Sequence, residues 1–266
     1  MRRLVLIFVV CLWCAPSVSQ SPESDEALLK RTRALYDAPF TRNLVSFDCA
    51  IQFDWKRHFI DALGSLPPAA LPTAERLQGV PHRIFVDRSG ATLSAQPKAP
   101  DFADDQRAAQ LEQAFNAIAA QGLDAWLPFS TNVILPLGTT KYAFEKLASG
   151  YKLSMNGPGV AATLLLDVDL HVTSGVVQLP QDYRFATDFE PGPDGYLLKS
   201  VKTGSTSGDT NGEATFAYSY QPVDGFQLPL EVTVSPSRNE PWHFSLGDCK
   251  VISGITVHVA PPPVAH

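Results

Sequence analysis

The sequence lacks the features that mark two large classes of protein. Beyond residue 20 it has no apolar run near the roughly 20 residues that a membrane-spanning helix needs. It has no Lys/Arg-rich stretch, and its formal charge of −6 gives no electrostatic reason to expect a nucleic-acid partner. At 45% apolar residues it is also too hydrophobic for a disordered chain. The composition therefore predicts a soluble, acidic, globular protein that is not an integral membrane protein and binds no nucleic acid.

The chain also lacks the short motifs of common catalytic sites. No G-x-S-x-G occurs, because the similar GSTSG has Thr206 at its centre, and the six His include no H-E-x-x-H. The Gly-rich GSTSGDTNG lacks the Gly-Lys-Ser/Thr ending of a phosphate-binding loop, and it lies between predicted strands. We therefore expect a protein that is not an enzyme and uses no cofactor, with this loop as a hairpin tip.

The first 19 residues have the three parts of a secretory signal peptide. Two Arg precede an apolar run from Leu4 to Ala15, and the small residues Ser17 and Ser19 follow it two positions apart. The alternative is an uncleaved membrane anchor, but the apolar run is only about half of the length that spans a bilayer. We expect cleavage after Ser19 and export to the periplasm or the extracellular space. Residues 20–260 are then one domain, and residues 261–266 are a disordered Pro-rich tail.

Cleavage leaves only two of the four cysteines, Cys49 and Cys249. Each is expected on the apolar face of a strand, because Cys49 lies in phase with Phe47 and Ile51, and Cys249 with Val251. Two such side chains can form a disulfide or remain two buried thiols. The exported compartment favours the disulfide, and the two are too few and too far apart for a zinc site.

Helical patterns are confined to the first half of the chain. A helix begins at the Ser24 cap and ends before Pro39, and a long strand with one apolar face runs from Leu44 to Trp55. An insertion at about residues 56–130 is predicted to hold helices and a small hairpin at residues 82–95 that turns at Ser89-Gly90. Its helices are expected at Lys56–Leu63, Thr73–Gln78 and Asp104–Gln121, the last ended by Gly122.

From about residue 140 the chain reads as a meander of alternating segments with turn sequences between them. Such short links make consecutive strands antiparallel. One face of the sheet is apolar, as in Phe226, Leu228, Leu230, Val232 and Val234, and the helices are available to cover it. The predicted strands are Lys141–Leu147, Tyr151–Met155, Val160–Asp169, Val172–Gln178, Tyr183–Phe189, Tyr196–Lys202, Glu213–Gln221, Phe226–Ser235 and Trp242–Ile252. The expected class is α+β.

One polar cluster in the meander invites a metal-site interpretation. If residues 160–172 are extended, Asp167, Asp169 and His171 lie on one face, about 7 Å apart from one to the next. Two carboxylates and an imidazole can bind a divalent cation. Alternating polar residues are, however, what the solvated face of a sheet contains, so we expect no metal site.

The order of these elements resembles that of the LolA-like proteins, which include the periplasmic lipoprotein carrier and the LppX-type lipid carriers. The resemblance rests on the N-terminal helix, the long first strand, the helical insertion and three segments of the meander. These segments are PDGYLLKSV, AYSYQPVDGFQLPLEVTV and HFSLGDCKVI, of which VDGFQLP is the most characteristic. The resemblance covers roughly residues 24–258.

The resemblance implies an incomplete antiparallel barrel that wraps over helices, with an apolar cavity that accepts acyl chains. We therefore expect a monomer that binds a lipid, an acyl chain or a lipoprotein. The alternative is a cell-envelope interaction module whose core is filled and holds no ligand. The candidate cavity residues are aromatic side chains in the inward phase of their strands. They are Phe47, Phe53, Trp55, Phe216, Tyr218, Phe226 and Phe244.

Overall fold

The computed structural model describes residues 23–65, 67–95, 105–157, 160–178, 182–205, 212–238 and 240–254. The predicted signal peptide, most of the GSTSGDTNG loop and the Pro-rich tail lie outside the described residues. Five α-helices and twelve β-strands are found in the described residues. The helices are α1 (Asp25–Ala34), α2 (Trp55–Leu63), α3 (Leu71–Gln78), α4 (Gln106–Asp124) and α5 (Leu127–Ser130), with a short 3-10 helix at Pro39–Arg42.

All twelve strands belong to one open antiparallel sheet. Its order is β3-β2-β1-β12-β11-β10-β9-β8-β7-β6-β5-β4, so that β3 and β4 are the two edges. The strands are β1 (Leu44–Phe53), β2 (His82–Asp87), β3 (Gly90–Ala95), β4 (Lys141–Leu147), β5 (Gly150–Gly157), β6 (Val160–Leu166), β7 (Val172–Gln178), β8 (Tyr183–Gly192), β9 (Gly195–Ser205), β10 (Ala214–Val223), β11 (Phe226–Pro236) and β12 (Trp242–Ser253). The large antiparallel sheet with few helices is therefore confirmed, as is the predicted hairpin of β2 and β3.

Three of the five helices, α1, α2 and α4, begin at polar capping residues. The Ser24 hydroxyl accepts a hydrogen bond from the Ala27 amide at 3.3 Å, and Asp54 and Asp105 accept equivalent bonds at the starts of α2 and α4. The predicted end of α4 is wrong, because the helix continues through Gly122 to Asp124. Gly122 lies against the sheet, where close packing and not a helix end explains the missing side chain.

The predicted disulfide between Cys49 and Cys249 is present, with a sulfur–sulfur distance of 2.07 Å. It joins β1 to its neighbour β12 at a β-bulge, where the pairing shifts between Asp48 opposite Lys250 and Ala50 opposite Gly247. The Cys49 side chain is fully buried, whereas Cys249 is partly exposed. The bond therefore links the first and last strands along the chain, which are neighbours in the sheet, across a separation of 200 residues.

Two predicted alternations are broken by bulges. An unbroken alternation in β1 would place Val45 inside with Phe47, but Val45 is exposed and Leu44 and Ser46 are buried. The cause is a shift in the register of β1 against β12 between Leu44 and Ser46. Leu230 is exposed because a second shift, opposite Ser219 and Tyr220, leaves it as an extra residue in β11. The strand predicted to reach Trp55 ends at Phe53, because Asp54 caps α2 and Trp55 is its first residue.

Candidate functional site

The seven aromatic residues predicted to line a cavity all lie in the core. Their exposed fractions range from 1% for Phe47 to 9% for Phe226. Phe53, Trp55, Phe115 and Trp242 form one aromatic cluster, with Phe53 4.6 Å from Trp55 and 4.8 Å from Phe115 between ring centroids. These side chains pack against one another and against α4.

Helix α4 packs tightly over β10, β11 and β12. A Cβ atom at Gly122 would lie 3.1 Å from Val232 and 3.2 Å from both Val234 and Phe244. The Tyr218 hydroxyl donates a hydrogen bond of 2.8 Å to the Gly122 carbonyl, and burial raises the pKa of this tyrosine well above its usual value. The interface between α4 and the sheet is therefore closely packed at this point.

The inner face of the other half of the sheet is less completely covered. Tyr142, Met155, Ala162 and Val177 lie opposite one another across β4, β5, β6 and β7, and they form one apolar row. Ala162 is buried, but Tyr142, Met155 and Val177 are only half-buried. This row, which we call the β4–β7 row, is an apolar surface that the protein leaves partly accessible.

A second row runs parallel to the β4–β7 row and is deeper. Phe144 lies opposite Leu153, which lies opposite Leu164, and Gly175 follows on β7. Leu153 and Leu164 are fully buried. A Cβ atom at Gly175 would be 2.5 Å from the Phe185 ring, so the glycine gives that ring its space. The two rows together make a continuous apolar wall.

Helix α1 and residues 131–140 lie at the open edge of this wall. The Phe144 amide donates a hydrogen bond of 3.3 Å to the Asp25 carboxylate, so that α1 caps part of the unpaired edge of β4. The Arg33 guanidinium donates a hydrogen bond to the Pro136 carbonyl. Leu29 and Leu135 contribute to the same apolar core as the wall.

A cavity of about 380 Å³ lies between α1 and the start of β4. We call it the α1–β4 cavity. Its walls combine apolar side chains with charged ones, and Tyr142 belongs to both this cavity and the β4–β7 row. The lining residues are Glu26, Leu29, Lys30, Arg33, Pro136, Gly138, Thr140 and Tyr142. The size falls within the range of small-molecule sites.

The segment after α1 is fixed to the sheet by Tyr36. Its hydroxyl accepts a hydrogen bond of 2.7 Å from the Val172 amide, and its ring lies 4.8 Å from Phe189. Burial is the main cause of the raised pKa of Tyr36. The adjacent Tyr196 exchanges backbone hydrogen bonds with Leu35 and Asp37. The N-terminal segment is therefore firmly held at its carboxyl end.

A buried ion pair lies next to this segment. Asp37, whose side chain has no exposed surface, accepts a hydrogen bond of 2.7 Å from Arg42, which also pairs with Asp194. Burial raises the pKa of Asp37, and the Arg42 guanidinium opposes the shift. Arg42 lies 5.7 Å from the centre of the Phe226 ring.

Asp167, Asp169 and His171 come together, but not on an extended strand as predicted. β6 ends at Leu166, and residues 167–171 form a turn in which Leu170 has a φ of 71°. Their candidate ligand atoms lie within 4.8 Å of one another. One Asp167 oxygen accepts hydrogen bonds from the Asp169 and His171 amides, and the other lies 3.1 Å from His171 Nδ1. These bonds give Asp167 a structural role in closing the turn.

A larger cavity, of about 550 Å³, is lined by residues of β1, β11, β12, α2 and α3. Its side chains are mostly polar and of both charge signs, and they include Gln52, Glu231 and His243. His243 Nδ1 lies 2.9 Å from the Thr233 hydroxyl. Neither this cavity nor the α1–β4 cavity was predicted, because the charged residues of both read along the sequence as ordinary surface positions.

No protein-family model matches this chain, and no curated protein or solved structure matches it. In the part of the chain that the structure describes, no helix is long and apolar enough to cross a membrane. The candidate site therefore has to be interpreted from its own geometry. That geometry is an apolar wall on β4–β7 that ends in a cavity with charged side chains.

Proposed function

We propose that this protein binds the acyl chain of a lipid or lipoprotein between the apolar wall of β4–β7 and the cover formed by α1 and residues 131–140. The observation that carries the proposal is the half-buried β4–β7 row, which leads into the α1–β4 cavity at the unpaired edge of the sheet. The ligand would lie beside the seven core aromatic residues and not among them.

The energetics of an acyl chain suit such a surface. Each buried CH₂ group contributes about 0.8 kcal/mol, so about ten of them gain about 8 kcal/mol before the cost of immobilising the chain. A flexible residue such as Met155 adapts to chains of different shape. Tyr142 adds a ring that has both apolar and polar parts.

Export and family resemblance support the same function. The signal-like first 19 residues and the Cys49–Cys249 disulfide suit a compartment outside the cytoplasm. The resemblance of VDGFQLP and its neighbouring strands to LolA-like proteins supports an apolar ligand, because the carriers of that family transport acylated cargo. On this proposal the sheet is an incomplete barrel that wraps over its helices.

Lipid extraction gives the first test. Protein purified from the periplasm of a bacterial host is extracted with organic solvent, and the extract is analysed by mass spectrometry. We expect an acylated molecule at near-equimolar amount, and its repeated absence would count against the function. A hydrophobic fluorescent probe should bind the purified protein and be displaced by a fatty acid.

A matched pair of variants locates the site. Ala162→Phe places a ring in the β4–β7 row and should weaken probe binding about tenfold, because it fills the space that a chain would occupy. Ala143→Phe puts the same ring on an exposed position of β4 and should leave binding unchanged. Equal effects of the two variants, with unfolding midpoints like that of the wild type, would refute the location.

The packing of α4 favours a second candidate, an interaction module with a filled core. The close contacts of Gly122 show that the interface with β11 and β12 has no room for a chain there. If the same is true throughout, the probe will not bind and no lipid will be extracted. The two experiments above therefore separate the candidates.

A further inference from the structure

We propose that the α1–β4 cavity binds an anionic headgroup, a carboxylate or a phosphate, of the amphiphile whose chain lies on the β4–β7 row. This inference rests on the proposed function, since it names the class of molecule that the same site would select. The cavity adjoins the row through Tyr142, which lines both. A chain on the row would therefore bring its polar end to the cavity.

One face of α1 supplies the charged wall of the cavity. Glu26, Leu29, Lys30 and Arg33 have the spacing that places side chains on the same side of a helix. Two of these residues are cationic and one is acidic. Among the described residues, no hydrogen bond or ion pair joins Glu26 to Lys30 or to Arg33. The cations therefore retain capacity to bind an external anion.

Arg33 is held in place and still has an unused donor. Its terminal nitrogen donates to the Pro136 carbonyl, which fixes the direction of the side chain. Its Nε atom is buried and has no hydrogen-bond partner within the described residues. A guanidinium presents several donors in a fixed plane, an arrangement that suits carboxylate and phosphate oxygens.

Lys30 complements Arg33 as an exposed charge that lines the cavity. Its side chain is exposed, and no described residue accepts a hydrogen bond from it. The Thr140 hydroxyl on the opposite wall adds a further donor. Leu29, Pro136 and Tyr142 place apolar surface directly beside these donors. The combination fits a molecule with an anionic end and an apolar body.

Electrostatic attraction by the net charge of the protein cannot explain a preference for anions. The formal charge of the chain is −6, so its overall field repels them. A preference for an anionic headgroup over a neutral one must then arise from a local group of cations. Lys30 and Arg33 are such a group on the edge of the apolar wall.

Displacement of the fluorescent probe tests this inference with four ligands. Palmitate and lysophosphatidic acid carry carboxylate and phosphate headgroups, hexadecanol has a neutral one, and inorganic phosphate has no chain. We expect at least one anionic amphiphile to displace the probe at about a tenfold lower concentration than hexadecanol does. The tighter of the two identifies the headgroup, and phosphate alone should not displace the probe.

Lys30→Gln is the deciding variant, because Lys30 is exposed and its replacement should not disturb folding. It should reduce the affinity for the anionic amphiphile severalfold and leave the affinity for hexadecanol unchanged. Lys250→Gln, an exposed residue on β12, is the matched control and should change neither. Equal binding of anionic and neutral chains, or no effect of Lys30→Gln, would overturn the headgroup site and leave the chain site intact. Failure of all amphiphiles to displace the probe would overturn both.

Discussion

Reduction of the Cys49–Cys249 disulfide should lower the free energy of unfolding by as much as about 5 kcal/mol. The bond closes a loop with a sequence separation of 200 residues, and the chain-entropy relation gives about 5 kcal/mol for a loop of that length. This is an upper figure, since residual structure in the unfolded chain reduces it. For a domain of this size the melting temperature should fall by about 10 to 20 °C.

The assay is urea unfolding followed by circular dichroism, with oxidised protein compared with the Cys49→Ala/Cys249→Ala variant. The variant avoids the slow access of a reductant to Cys49, which has no exposed surface. Removal of the two sulfur atoms costs some packing at Cys49, but far less than the loop term. Thiols are counted in parallel under denaturing conditions without reductant, and none should titrate at these two positions. Equal unfolding midpoints for the two proteins would refute the reasoning.

Gly195→Ala and Arg42→Gln probe the contacts of the segment that follows α1, and Gly225→Ala is the control for the first. Gly195→Ala should cost about 2 to 3 kcal/mol, because φ is 139° and the new Cβ would lie 2.7 Å from the Leu35 carbonyl. Gly225→Ala has φ of 83° but no neighbour within 4 Å, so urea unfolding should show a loss of only about 1 kcal/mol. Arg42→Gln removes the cation beside buried Asp37 and should cost about 2 kcal/mol near pH 7, discounted because Arg42 is 35% exposed. Burial raises the pKa of Asp37 in the folded state, so the contribution of its protonated form to stability is present at low pH and is lost as the pH rises through that pKa. The loss of unfolding free energy in Arg42→Gln should therefore be smaller when unfolding is repeated at about pH 5. An equal loss at both pH values would contradict this.

The sequence predicts most strands because one side of the sheet is apolar. The strand at Lys141–Leu147 and the strand at Val172–Gln178 have the predicted bounds. The predicted hairpin is present, but its turn is one residue earlier than predicted, at Arg88-Ser89, because Gly90 already pairs with Asp87. These elements depend on local alternation and turn chemistry, which a single segment carries by itself. The pairing of Cys49 with Cys249 was also accessible, since only two cysteines follow the signal-like segment.

The errors arise where a neighbouring strand decides the outcome. Val45 and Leu230 sit at register shifts, and such shifts depend on the partner strand and not on the local pattern. Gly122 resembles a helix end because glycine often ends helices, but α4 continues past it and packs so closely on β11 and β12 that a Cβ atom there would need its neighbours to shift. Alternation predicts the strands that carry the β4–β7 row. The partial exposure of the row depends on how much of its surface α1 covers, and no local sequence pattern shows this.

The unequal cover of the two halves of the sheet indicates where a ligand would gain access. α4 is held to its half of the sheet by the Tyr218 hydrogen bond and packs so closely there that three side chains leave little space for a Cβ atom at Gly122. The start of α1, by comparison, meets β4 through the 3.3 Å hydrogen bond from the Phe144 amide to Asp25. Local opening costs less where fewer buried contacts are lost. Amide hydrogen exchange should therefore be faster in α1 than in α4, and a bound fatty acid should slow it selectively in α1. Equal protection of the two helices, or slowing in α4 alone, would place the route to the apolar wall elsewhere.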